Sequence, residues 1–177
     1  MENTSKATES ILSDLKANDV SIVLDAIKRN RKDGNLKTFQ VLLDLLKDTD
    51  EPSVEEAIIS FLFDLKENES VPALIAAIEN DEMEYYHSFL IATFWQAAVD
   101  GSDYLEVFVK KAIKGDYMVC LEALTVVENF DAAYAEADLV EYEADINEAI
   151  EQESNSDKKQ LLASLADVIR NLPIEGE

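Results

Sequence analysis

The chain has one cysteine, Cys120, and one histidine, His87, in 177 residues. A single cysteine rules out an internal disulfide and any multi-cysteine zinc site. A single histidine means that a Ser-His-Asp or Cys-His centre would have to use His87. Glycine and proline are nearly as scarce, at four and three. Four isolated glycines cannot build a phosphate-cradling loop. So few helix breakers favour helices joined by short turns. No apolar run reaches the length needed to span a bilayer; Phe89 to Phe94 is broken by Thr93 and followed by Gln96. The start, Met1 to Lys16, is polar and has no apolar block ahead of a small-residue cleavage site. The expectation is a cytoplasmic protein with no membrane partner.

Positive charge is scarce as well. Lys and Arg number 15 against 38 Asp and Glu, for a formal net charge of −23. No Lys or Arg lies between Lys66 and Lys110, nor between Lys114 and Lys158, whereas acids are frequent in both stretches. The basic residues gather early, at Lys28, Arg29, Arg31, Lys32 and Lys37. A phosphate backbone is bound by neutralising it with Lys and Arg, so the expectation is no nucleic acid as a direct partner. A protein partner carrying a basic segment suits the field. The plainer reading of the acidity is solubility, since charge runs are usually solvated faces.

What is present is apolar periodicity. Hydrophobic residues make up 47%, enough for a folded core. Ten helical segments can be read, with no period-two strand pattern. They run near 4–17, 20–32, 36–48 and 54–66, then from about 71, and near 83–99, 103–114, 116–129, 133–153 and 157–172. Gly34 stands where a left-handed cap is expected. Pro52 and Ser53, followed by Glu55 and Glu56, make a helix start. Ser70 and Ser102 are read as caps of the fifth and seventh helices. The core is expected from Leu43, Leu46, Ala57, Phe61, Leu62, Leu74, Ile78, Phe89, Phe94, Leu121 and Leu124.

The helices pair into hairpins near 4–32, 36–66, 70–100, 102–130 and 133–172, and 1–177 reads as one helical-repeat domain. A hairpin of this length cannot bury both apolar faces alone, so a repeat of it implies stacking. Phe39-Gln40-Val41-Leu42-Leu43-Asp44-Leu45-Leu46-Lys47-Asp48 followed by Pro52-Ser53-Val54-Glu55-Glu56-Ala57-Ile58 resembles the HEAT-repeat pattern. Ser70-Val71-Pro72-Ala73-Leu74-Ile75-Ala76-Ala77-Ile78 looks like the next first helix of that family. Glu55 and Glu56, then Tyr85, Tyr86 and His87, stand where the family carries an Arg after the inter-helix turn. The resemblance implies an all-α, right-handed HEAT/armadillo-like α-solenoid, a superhelix of about five hairpins. It also implies that the second helices line the concave surface.

No constellation in this sequence carries chemistry. Cys120 lies in the core-like segment Val119 to Leu124 and reads as a small hydrophobe. The clusters Asp81, Glu82, Glu84 and Glu141, Glu143, Asp145, Glu148 lack a calcium-loop glycine turn. No cofactor is implied. On the sixth segment Tyr85 and Trp95 fall off the core stripe, and Phe63 occupies a comparable flank of the fourth. These three would floor an apolar groove, or else fill the seam between repeats. Tyr85 and His87 are expected to be more exposed than Trp95. The partner-binding residues proposed from sequence are therefore Tyr85, His87 and Trp95. The reading is a non-enzymatic protein-interaction or scaffold module that binds a chain on its concave face. The alternative is an enzyme of a HEAT-like class, of lyase or glycosylase type, with no identifiable active site. Homo-oligomerisation stays open as a third reading.

Overall fold

The computed structural model describes residues 2–66 and 68–176, with side chains from residue 6 onward except Asn68; Met1, Glu67 and Glu177 lie outside the described residues. Among these residues the chain is all-helical, with ten α-helices. They are α1 Glu2–Asp14, α2 Val20–Asp33, α3 Leu36–Asp48, α4 Pro52–Phe63, α5 Val71–Glu79, α6 His87–Gln96, α7 Leu105–Lys114, α8 Tyr117–Val127, α9 Glu136–Gln152 and α10 Ser156–Arg170. Short 3-10 segments, Asn68–Ser70, Asp81–Tyr86 and Ser102–Tyr104, lead into α5, α6 and α7. Among the described residues the one β feature is an isolated parallel bridge between Tyr134 and Ile174. Among the described residues no helix is long and apolar enough to cross a membrane.

Side chains fix several helix starts. The Asn35 carboxamide accepts from the N–H groups of Lys37 and Thr38, and Thr38 returns a bond to Asn35, closing a capping box on α3. Asp19, Asp116 and Asn155 cap α2, α8 and α10 in the same manner. Each such cap is worth ~1 kcal/mol. Pro52 opens α4, where its missing N–H costs little. Two expected caps are absent: Ser70 makes no side-chain cap bond, and Ser102 sits buried within its 3-10 segment. Gly34 also departs from expectation. Its φ of −75° is extended rather than left-handed. Glycine is needed there for space, since a Cβ would stand 2.4 Å from the Asn30 carbonyl oxygen.

The chain divides into two compact units, Met1–Glu84 and Tyr85–Glu177. The boundary cuts the hairpin expected over 70–100. In the first unit α1 packs on α2 and α3, and α4 packs on α2 and α3. Leu42, Leu43, Leu46, Ile58, Leu62, Leu74 and Ile78 are fully buried there. In the second unit α8 packs on α6, α7 and α10, while α9 packs on α7 and α10. Its core holds Leu90, Phe94, Phe108, Cys120, Ala123, Val127, Leu162, Leu165 and Ile169. Three expected core residues differ. Ala57 and Leu121 are half-buried, and Phe89 is exposed.

Ala98, just past α6, has φ +53°. The Val99 N–H reaches back to the Phe94 carbonyl at 2.9 Å, and the Ala97 N–H to that of Thr93. This is the left-handed cap that normally takes glycine, because an L side chain is strained there. Ala98→Gly is expected to stabilise the protein by about 1 kcal/mol, raising Tm by a few degrees. A lower Tm would show that the Ala98 methyl contributes more by packing than it costs in strain.

Candidate functional site

The second unit carries most of the exposed large apolar side chains. Tyr85 is 74% exposed, Trp95 41% and Phe89 37%, and on α8 Tyr117 and Met118 are exposed too. Helices α6 and α8 pack side by side, and Trp95 on α6 and Met118, one turn before Glu122 on α8, stand on one two-helix face. The Trp95 indole N–H donates to Glu122 on α8 at 2.7 Å. A hydrogen bond to a charged acceptor is among the stronger kinds. It pins the ring across the seam without burying it. The Tyr85 ring stands edge-on against Tyr86, centroids 5.0 Å apart.

His87 is not part of that face. It is 4% exposed and turns into the core, opposite to the expected exposure. The residue order explains this. His-Ser-Phe-Leu-Ile-Ala-Thr-Phe-Trp-Gln is apolar nearly all round, so periodicity alone cannot select the buried side. The side that packs is centred on His87, Leu90, Ile91 and Phe94, which rotates Phe89 outward. Phe63 lies half-buried at the end of α4, in the first unit.

Beside Trp95 is a recess of about 400 Å³, walled by Phe94, Trp95, Ala98, Val99, Asp100, Val126, Asn129, Phe130 and Asp131. The strained Ala98 turn brings the chain to Asp100, and the turn after α8 brings Phe130 and Asp131. The Asp100 carboxylate accepts from the Ser102 N–H at 2.9 Å. That bond holds its pKa below the ordinary carboxylate value, so it is ionised at neutral pH. The neighbouring Tyr134 hydroxyl donates to the Ser102 carbonyl at 3.0 Å. Burial, followed by the fields of Asp100, Asp103 and Asp131, pushes this phenol up to about 12. The recess combines aromatic walls with two carboxylates, the chemistry that receives a cationic side chain. Neither Asp100 nor Phe130 was singled out from sequence, although an aromatic residue held between acids in a turn was there to be read.

Cys120 is fully buried, and burial pushes its thiol up to about 11. At neutral pH it is a thiol, which is a poor nucleophile. No group of three or more His, Cys, Asp or Glu is arranged to hold a metal ion among the described residues. No family model, curated protein or solved structure matches this chain.

Proposed function

We propose that this protein is an interaction module: a right-handed α-solenoid of helical hairpins whose α6–α8 face binds a basic segment of a partner chain. The solenoid reading is supported within each unit by helices that pack both on their chain neighbour and on the helix two along, the contact pattern of stacked hairpins. In such a solenoid α6 and α8 are second helices of their hairpins and line the concave surface. The observation that carries the binding reading is Trp95, exposed yet fixed by Glu122, at the mouth of an aromatic recess walled by Asp100 and Asp131. Fixed aromatic anchors ringed by charge are how many interfaces concentrate their binding energy. A Lys or Arg of the partner would enter the recess, while its apolar residues cover Phe89 and Met118. An acidic protein located in the cytoplasm fits this role.

The test is a synthetic amphipathic helix of alternating Leu and Lys/Arg turns, compared with the same helix bearing Glu at each basic position. The basic peptide should bind at least tenfold more tightly, with affinity falling as salt rises. Trp95→Ala, and separately Asp131→Asn, should weaken it at least fivefold and leave helicity unchanged. Equal binding of both peptides, or of wild type and Trp95→Ala, would refute the reading. His87 is left untouched in this design, because truncating a buried ring measures stability rather than binding.

A further inference from the structure

The first unit contains a second concavity of opposite character. The ends of α2 and α4, the start of α3 and the approach to α5 enclose a cleft of about 470 Å³, a volume within the range of small-molecule sites. Its accessible apolar surface comes from the exposed Leu36 and the half-buried Leu65, backed by the buried Phe39 and Phe61, whose rings are tilted at 42° with centroids 6.3 Å apart. The Arg31 guanidinium lies over the Phe61 ring, 5.8 Å from its centroid, and is bonded to Asp64 and to the Ser60 hydroxyl. That pair is spoken for. What remains at the cleft is Lys32 and Lys66, neither bonded to any described residue, against the single carboxylate of Glu69.

Asn30 adds a second kind of signal. This residue lines the cleft, is 5% exposed, and its Oδ1 has no hydrogen-bond partner among the described residues. Buried acceptors are nearly always paired, and an unpaired one asks for a missing donor. We propose that this cleft binds a small amphipathic organic anion: a flat apolar body, an acidic group and an N–H or O–H donor. Leu36 and Leu65 take the body, Lys32 and Lys66 take the acid, and the Asn30 carboxamide turns to meet the donor. The net charge of −23 does not forbid this. At physiological salt a charge is screened beyond ~8 Å, so the anion responds chiefly to the two lysines beside it. Among the described residues a cationic ligand would find only Glu69 free, since Asp64 is held by Arg31.

The probe is 8-anilinonaphthalene-1-sulfonate, which has a flat body, a sulfonate and one N–H. Fluorescence titration of the folded full chain should show saturable, one-to-one binding. The unsulfonated analogue, N-phenyl-1-naphthylamine, should bind at least tenfold more weakly. Lys32→Glu with Lys66→Glu should weaken the sulfonate at least tenfold at unchanged Tm. Leu36→Glu, at the exposed mouth, should weaken it as well. Trp95→Ala, in the other unit, should leave it unaltered, which separates this site from the peptide face. Equal affinity for the neutral analogue, an undiminished double variant, loss of binding in Trp95→Ala, or no saturable binding would each overturn the proposal.

Discussion

Phe108→Ala should destabilise the second unit by about 3–5 kcal/mol, the usual range for emptying a fully buried aromatic site. Phe108 has no exposed surface. It stands between two other rings, edge-on to Phe94 at 5.0 Å and to Phe130 at 5.7 Å. The chain closes over this cluster at Gly101, where a Cβ would lie 2.7 Å from the Phe94 ring. Backbone and rings are therefore too tightly interlocked for the cavity to collapse freely, which places the cost toward the upper end of the range. Phe94 and Phe130 also wall the recess beside Trp95. The substitution should consequently weaken capture of the basic peptide even at temperatures where the variant remains folded. Urea unfolding followed by circular dichroism measures the first effect, and peptide titration at 10 °C or so the second. A stability loss below about 1 kcal/mol would mean that the three-ring cluster is not the centre of this core.

Legibility in the sequence follows the locality of the cause. Helix α3 runs over Leu36–Asp48 as read, because Asn35 and Thr38 supply the cap within a few residues and the leucine stripe has a clear phase. Other ends shifted where a 3-10 turn replaced the first helical turn, as before α6 and α7. The phase of α6 was not readable, since an all-apolar helix leaves the choice of buried side to its tertiary neighbours. That choice separates Tyr85 and Trp95 from His87. The acid recess was hidden for a related reason: its walls come from the end of α6 and from the turn after α8, some thirty residues apart in the chain. The early basic cluster was visible as composition. Which of its members are neutralised was not, because Asp14 holds Arg29 and Asp64 holds Arg31 across helices.

Lys158→Ala should cost about 3 kcal/mol, the second large effect. Lys158 is 7% exposed at the start of α10. Its Nζ donates to the Ile113 carbonyl at 2.9 Å and sits 3.0 Å from the Glu153 carboxylate. One ammonium thus joins the end of α7, the end of α9 and the start of α10. Truncation leaves the Ile113 carbonyl and the partly exposed carboxylate short of a donor, and leaving a buried acceptor unpaired is the expensive part. Lys158→Met, which keeps the stem and removes the charge, should lose less, since the apolar chain still packs. Acid provides an independent check. Bonds from the Asn155 N–H first, then from Lys158, lower the Glu153 carboxyl from an ordinary 4.5 to about 2. A depressed carboxylate stabilises the fold in full above the unfolded value and loses that contribution as pH falls from about 4.5 through about 2. In Lys158→Ala the folded value should move back toward 4.5, so the acid-side decline contributed by this group becomes shallower. Thermal melts at pH 7, 4 and 2.5 measure both effects. If the gap between wild type and variant stays constant across this series, Lys158 acts through packing alone and the ion pair contributes nothing to the junction.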